Sequence, residues 1–470
     1  MVLNNGLEGI TKIFVPDQNK FENILSEVTK VYSNLFKPLN AAFNKPKPKD
    51  LTDVNELFSD FIFTRFKVTV ECEYLHFILN TLKVVTEKNY DKQLTAFIND
   101  FSYHDDEAIK RIEKQTNHDI QAIVLYLKSK FPEVSEYIHF GLTSQDINSP
   151  AMVYTYKVFD ETILIPELKK LNTRLSYMAD SDCNHVMLTF THGQPATPST
   201  MSKQLEVFIE KFSKTRRDLV DGYRYSAKMG GSNGSLSGIR LVYPDYNWEQ
   251  LLAQFLGDVF GIHRTRTTTQ IDDYVNYYKL FQIYERFCLI VIDLCSDIWM
   301  YCSKGYFKQL NIEGEVGSSA MPHKINPIYF ENAEGNAKIA CDLYTSIGKH
   351  ISVNRLQRDL TDSTILRNVG VANGHMMLAI RNLISGLQRI TINAQQIKKD
   401  LDDNNIVLME FIQLKMRSIG IGDSYNLCKD FSRGRTCFAK REFIHFLQLN
   451  GVTITDDLMQ VLETNIRNFI

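Results

Sequence analysis

The chain has 470 residues, 44% of them hydrophobic and 23% charged, with a formal net charge of −2. Such a length exceeds what one ordinary core organises, so two or three domains are expected, and the balance of apolar and charged residues is that of a soluble globular protein. The near-neutral charge gives no reason to expect nucleic acid or an acidic membrane as a partner, although local basic clusters still suit small anions.

The N-terminus, MVLNNGLEGITKIF, lacks the basic start and continuous apolar core of a signal peptide. The greasiest region, Phe287–Cys302, contains an unbroken apolar run only from Phe287 to Ile292, far short of a membrane span. The eight cysteines are scattered without a CxxC pair. Cys288, Cys295 and Cys302 recur every seven residues, which puts them on one helix face as small core residues. Reduced thiols and a cytoplasmic location are expected.

Along the chain, Lys45-Pro46-Lys47-Pro48-Lys49 reads as an extended polar linker. Helical patterns follow over Leu57–Thr86 and Gln93–Tyr126, and a first domain boundary is expected near Pro132, making 1–132 an N-terminal helical domain. Within it, Thr116-Asn117-His118-Asp119 places an imidazole beside an amide and a carboxylate, a pattern for an anion site or for an ordinary surface segment. His139-Phe140-Gly141-Leu142-Thr143-Ser144-Gln145-Asp146 sets two hydroxyls among amides, either a carboxylate or phosphate cradle or a helix N-cap.

Val186–Thr191 is the best short strand candidate. After it, Thr191-His192-Gly193-Gln194-Pro195-Ala196-Thr197-Pro198 stiffens one histidine with two prolines just before a helical seam. The expectation is a rigid loop at the head of a helix, fixing the aim of an imidazole that titrates near neutrality, as a general acid or base requires. A loop histidine satisfied by backbone is the plainer reading. The glycine cluster Gly230–Ser235 lacks the strand–helix context of a dinucleotide site and suggests a turn or a close backbone approach.

Proline is missing from Ser199–Tyr243, Asp245–Met321 and Ile328–Ile470, which permits long helices. Leu280, Tyr284, Phe287, Val291, Leu294 and Ile298 step by four and three; Met201, Leu205, Phe208, Phe212 and Leu219 keep that rhythm, as do Met376, Ile380, Leu383, Leu387 and Ile390. Three such seams predict a mainly α protein whose middle, 133–395, is a long-helix bundle, followed by a small C-terminal helical domain over 396–470.

Two more polar stretches lie in or beside that bundle. Glu313–Asn336 begins with Gly314, Gly317, Ser318 and Ser319, passes through Pro322-His323-Lys324, and ends in a helix start where Asn326 is expected to cap and Pro327 to occupy the first turn. A loop with two hydroxyls and a lysine, feeding a helix N-terminus, suits an anionic substrate or is a surface turn. In Arg355–Arg367, a helix would put Arg355 and Arg358 on one face and Ser363 and Arg367 on another. A bend near Thr361 would let them converge on a phosphate; without it the segment is an ion-paired helix, with Asp359 and Asp362 satisfying the arginines. No HExxH, CxxC, paired-histidine or Walker pattern is present.

Taken together these stretches resemble one family. GSSAMPHKINP resembles the signature loop of the fumarase/aspartase superfamily, whose members eliminate fumarate from succinyl compounds. TNHD, THGQPATPST, TTQID and RLQRDLTDSTILRN are similar to its adenylosuccinate lyase branch, in the bacterial-type form, and the resemblance runs from about Phe63 to Ile390. It implies the three-domain fold with a central long-helix bundle, a homotetramer with active sites shared between subunits, and no metal or organic cofactor. The implied reaction is β-elimination of fumarate from adenylosuccinate to give AMP, and from succinyl-aminoimidazole-carboxamide ribotide to give the carboxamide ribotide. By the same resemblance Ser318 is the general base and His192 the general acid. His118 assists at the phosphate, with Asn117 and Asp119 beside it, while Lys324, Asn326, Thr143 and Ser144 hold the succinyl carboxylates. Gln270, Arg355, Arg358, Ser363 and Arg367 bind the nucleotide portion, and Asn332 meets the substrate from the motif helix. Where bacterial-type members carry an Arg-Tyr phosphate contact, this chain reads Pro16-Asp17-Gln18-Asn19-Lys20-Phe21, leaving Lys20 as a point charge in place of a bidentate fork. Another fumarate-releasing lyase and a non-catalytic structural relative are the alternatives.

Overall fold

In the computed structural model the described residues are 54–84, 90–182, 185–314 and 320–453. Helices α1 (Asp60–Thr81), α2 (Tyr90–Asp100), α3 (Tyr103–Thr116), α4 (Asp119–Lys130), α5 (Ser144–Phe159) and α6 (Ile165–Tyr177) lead to a hairpin of β1 (Val186–Thr191) and β2 (Gln194–Thr200). Then come α7 (Met201–Arg217), α8 (Trp248–Phe260), α9 (Val275–Ser303), the short strand β3 (Phe307–Gln309), α10 (Ile328–Ile351), α11 (Thr361–Leu366) and α12 (Val369–Gln388). Strand β4 (Ile390–Ile392) and helices α13 (Ala394–Asp403), α14 (Met409–Ser418), α15 (Ser424–Ser432) and α16 (Lys440–Leu449) follow. No helix of the described residues is long and apolar enough to cross a membrane.

The chain forms two units. The first holds the described residues up to Val158 together with Met229–Ser232 and Leu236–Arg264. Its spine is α1, which Ser59 caps by accepting from the Ile62 N–H at 3.3 Å. Phe61, Phe66, Tyr74, Leu75 and Ile78 of α1 are buried. Tyr74 packs edge-on to Phe255 of α8, ring centroids 5.9 Å apart. The predicted Gln93–Tyr126 pattern is divided among α2, α3 and α4. Asn117, at φ 49°, ends α3 in the left-handed conformation, and His118 starts α4.

The second unit holds Phe159–Lys228, Asn233–Ser235 and everything described from Thr265 onward. Here α9, α10 and α12 run antiparallel. Trp299 donates to Glu331 at 3.1 Å where the end of α9 meets the start of α10, and Tyr344, late in α10, donates to Asn373, early in α12, at 2.6 Å. The seam read from sequence is the packed face: Leu280, Tyr284, Phe287, Val291, Leu294 and Ile298 are all buried in α9, and Cys288 and Cys295 lie among them. Met201, Leu205, Phe208 and Phe212 are buried in α7, as are Met376, Ile380, Leu383 and Leu387 in α12. Strand β3 pairs antiparallel with β4, Phe307 opposite Ile392 and Gln309 opposite Ile390, so the chain leaving α9 is tied to the chain leaving α12. Met409, Ile412, Met416, Cys428, Phe438, Phe443, Leu447 and Val452 make a separate small core under α14–α16.

Among the buried polar groups of this unit is Asp160. Asp160 begins a π-helical turn, Asp160–Leu164, directly after α5. It accepts from the Tyr225 hydroxyl at 2.6 Å and the Tyr284 hydroxyl at 2.8 Å. Burial pushes its carboxyl up to about 7, against the lowering effect of those two hydrogen bonds.

Candidate active site

In the first unit, two predicted stretches are held by α1. His118 stands at the N-cap of α4, and its Nδ1 accepts from the Gln121 N–H at 3.2 Å. That contact makes Nδ1 the unprotonated nitrogen and leaves Nε2–H as a donor on a half-exposed ring. The neighbouring Asp119 accepts from Lys67 Nζ at 2.8 Å. Burial works to raise the Asp119 carboxyl, but Lys67, by charge and hydrogen bond, holds it below the usual range. One turn along α1 from Lys67, the buried Glu71 meets His139 Nδ1 at 2.5 Å. His139 leads into the turn that carries Thr143 and Ser144, so one face of α1 fixes both the His118 junction and this turn.

Helix α5 starts at Ser144, which puts Thr143 at its cap. The fully buried Asp146 accepts from the Thr143 N–H at 2.8 Å, from Gly230 N–H at 2.6 Å and from Gly231 N–H at 3.1 Å. One carboxylate therefore locks the glycine turn against the turn bearing the two hydroxyls. The close backbone approach expected of the glycine cluster is present. At Gly234 (φ +78°), in the second unit, any Cβ would run into the carbonyls of Thr268 and Thr269, next to Gln270.

His192 is not at the head of a helix. It forms, with Gly193, the two-residue tip of the β1–β2 hairpin, where Thr191 pairs with Gln194. Their φ values of 55° and 73° are both left-handed, the pattern of a type I′ turn. The prolines act from within a strand, Pro195 opposite Phe190, and all of β2 separates the imidazole from α7. The ring is exposed at the tip.

Lys324 is exposed in a turn closed by its own N–H on the Met321 carbonyl at 3.0 Å. Asn326 does not cap α10: Pro327 occupies the N-cap position and the helix begins at Ile328, which places Asn326 one residue further out. Asn332 is exposed on the first turns of α10. Its Oδ1 accepts from Asn336 Nδ2 at 2.8 Å, and Asn336 Oδ1 lies 2.8 Å from His375 Nδ1 on α12. This relay leaves the Asn332 amide NH2 facing outward as a donor.

Arg355 and Arg358 do not share a helix face. Residues 352–360 are a loop, tightened by the Arg358 N–H on the Arg355 carbonyl at 3.1 Å, and only Thr361–Leu366 is helical. Asp359 does pair with Arg355, at 3.2 Å. Hydrogen bonds from Thr361, with Arg355 beside it, hold the Asp359 carboxyl low. Asp362 does something else: it is buried and takes the Tyr274 hydroxyl. That bond ties the chain just after Gln270 to the chain carrying Ser363 and Arg367. Ser318 and Lys20 lie outside the described residues. Among the described residues, His192 and Lys324 are not joined to a common cluster; each sits exposed on its own turn.

Sequence did not single out Lys67, Glu71, His375 and Tyr274, nor the roles of Asp146, Asn336 and Asp362 inside the polar stretches; all of them hold a candidate rather than form a motif of their own. Several candidates are also strained. Asn117, His139, His192 and Leu356, inside the polar stretches, and Tyr274, just beyond Gln270, are non-glycine residues with positive φ. Each such conformation costs of order 1 kcal/mol and tends to accumulate where function demands it.

Comparison with known proteins gives the family of the chain. Residues 74–340 match the family model described as Lyase, and residues 354–469 match the model described as adenylosuccinate lyase C-terminal. The chain is 38% identical over 426 residues to the adenylosuccinate lyase of Dictyostelium discoideum, covering 87% of this chain and 91% of that one. It is 35% identical over 405 residues to the adenylosuccinate lyase of Escherichia coli (strain K12), covering 84% and 88%. Among solved structures, a fumarate lyase from Mesorhizobium sp. BNC1 superposes with a TM-score of 0.67 at 16% identity, over 88% of this chain and 89% of that one. The 3-carboxy-cis,cis-muconate lactonizing enzyme from Pseudomonas putida gives 0.67 at 18% identity, over 87% and 90%. At those identities the structural likeness speaks to the fold.

Proposed function

This chain belongs to the adenylosuccinate lyase family, and from that membership we propose that it cleaves adenylosuccinate to AMP and fumarate, and succinyl-aminoimidazole-carboxamide ribotide to its carboxamide ribotide and fumarate, in purine nucleotide synthesis. The observation that carries the reading is the extent of the likeness to an adenylosuccinate lyase, 38% identity over 87% of this chain; of the eight non-glycine residues with positive φ among the described residues, Asn117, His139, His192 and Leu356 fall in the polar stretches.

In this mechanism Ser318 takes the proton from the succinyl Cβ. The electron pair left behind delocalises into the adjacent carboxylate, which becomes a dianion. Lys324, Asn326, Thr143 and Ser144 stabilise that added charge, often the largest single contribution to such a step. The pair then re-forms a C=C bond as the C–N bond breaks, and His192 delivers a proton to the departing nitrogen. His118, with Nε2–H free to donate, acts at the phosphate together with Gln270, Arg355, Arg358, Ser363 and Arg367. Asn332 offers its NH2 to the substrate, and Lys20 supplies charge in place of the Arg-Tyr pair.

The enzyme works as a cytoplasmic homotetramer, each site drawing on several subunits. Support comes from the exposed apolar residues along the long helices: Val275, Leu289 and Met300 on α9, Ile339 on α10 and Leu378 on α12. The exposed, separate positions of His192 and Lys324 within one chain fit the same reading. A three-part division near residues 132 and 395 accompanies it, the small core under α14–α16 supporting the last part. Ser318→Ala and His192→Ala are expected to lose about 10²–10⁴-fold in kcat while light scattering still reports four chains. Near-parental rates for Ser318→Ala would remove its role as base, and a monomeric mass for the parent would remove the shared site.

A further inference from the structure

We propose that the buried hydrogen bond from Tyr274 to Asp362 is a positioning device that sets the Gln270 turn against the Ser363–Arg367 segment, and so governs affinity for the nucleotide half of the substrate. The inference rests on the functional reading above and goes beyond it, because neither residue is a substrate contact.

Tyr274 and Asp362 are 3% and 1% exposed. The bond spans 88 residues and joins the irregular piece Thr265–Tyr274 to the short helix α11, outside the long helical seams. Each end is fixed. Tyr274 has φ +58° at the N-cap of α9, and its N–H donates to Asp272 Oδ1 at 3.1 Å. Asp362 divides its oxygens: Oδ1 accepts from the Ser363 N–H at 2.8 Å, and Oδ2 accepts from Tyr274. The residue that holds Tyr274 thus also orients the backbone of a phosphate candidate.

Tyr274 adds a directed tie to a short helix, α11, that also packs on α10. Helix α11 has six residues, too few to be stable without tertiary support. From behind, Gly234 backs the Thr268–Thr269 carbonyls without room for a side chain. Arg358 lies near enough for its charge to act on the Tyr274 phenol, opposing the rise imposed by burial and by Asp362. Because the phenol is held well above its ordinary range, it remains a donor at every working pH.

The test is steady-state kinetics of the full-length enzyme on adenylosuccinate, with AMP and fumarate as product inhibitors. Tyr274→Phe keeps the ring and removes only the donor. Losing a hydrogen bond to a charged acceptor predicts a rise of about tenfold in KM. AMP inhibition weakens in parallel, with kcat and fumarate inhibition within about twofold. Asp362→Asn still offers one oxygen to Tyr274 but turns its NH2 toward the Ser363 N–H, so its KM should fall between those of the parent and Asp362→Ala, and Asp362→Ala should match Tyr274→Phe. If Tyr274→Phe does not fold, the Asn/Ala pair decides. Parental KM and AMP inhibition in Tyr274→Phe, a loss confined to kcat, or equal KM for Asp362→Asn and Asp362→Ala would overturn the inference while leaving the functional reading intact. A parent that does not turn over adenylosuccinate overturns both.

Discussion

Asp160 shows how a single residue can carry a property that no motif announces. Its carboxyl, raised to about 7 by burial, is protonated in the folded chain at pH values where an unfolded Asp, with a pKa near 3.9, is already ionised. The folded state therefore binds the extra proton between about pH 4 and pH 7, and stability declines as pH rises through that window. The sign is opposite to that of a salt-bridged carboxylate such as Asp119. Urea unfolding should show a smaller midpoint at pH 8 than at pH 5, with Asp160→Asn reducing the difference and the buried Asp272, whose carboxyl burial also pushes up to about 7, supplying the remainder. An equal pH dependence in that variant would show that another group is responsible. From the sequence, Asp160 was one acid among many, because its two tyrosine partners lie 65 and 124 residues away. The same distance hid Lys67, Glu71, His375 and Asp362, whereas His192 was legible, since glycine and proline around a histidine mark a constrained turn.

Among elements, the long helices were the most readable, because a seam stepping by three and four has one way to be buried. The junctions were less so. Pro195 and Pro198 suggested a stiff loop before a helix, yet β2 accepts both, since an edge strand of a two-stranded hairpin has a face with no ladder to break. At Arg355–Arg367 the residues all tolerate helix, and the break comes from side chains bonding back to the backbone: Asn354 Oδ1 takes the Asp359 N–H at 2.6 Å and Asp359 Oδ1 takes the Thr361 N–H at 2.8 Å. Pro327 holds the cap position, its carbonyl accepting from the Phe330 N–H at 3.1 Å, and Asn326 lies outside the helix. The hairpin turn makes a prediction of its own. Gly193 at φ +73° has open space where a Cβ would go, so Gly193→Ala meets only backbone strain, about 1 kcal/mol. It should fold, with a Tm lowered by a few degrees at most, and lose at least about tenfold in kcat as the His192 tip shifts; a kcat within twofold of the parent would mean that the tip need not hold a fixed aim.

For the whole molecule, composition anticipated several domains and periodicity anticipated a helical bundle, and family membership accounts for both. The bundle leaves His192 and Lys324 exposed on separate turns among the described residues. Its exposed apolar positions on α9, α10 and α12, and its candidate residues on dispersed turns, are what an assembly of identical bundles would use. In the proposed tetramer the partner surfaces are copies of the same chain, which leave no separate pattern to read in the sequence. The central claim is that these turns together remove one proton from a succinyl carbon and release a nucleotide amine. The most direct measurement is the ultraviolet absorbance of adenylosuccinate incubated with the purified chain, with the products identified as AMP and fumarate in equal amounts. The account predicts their one-to-one appearance; unchanged adenylosuccinate alongside turnover of argininosuccinate or malate would contradict it.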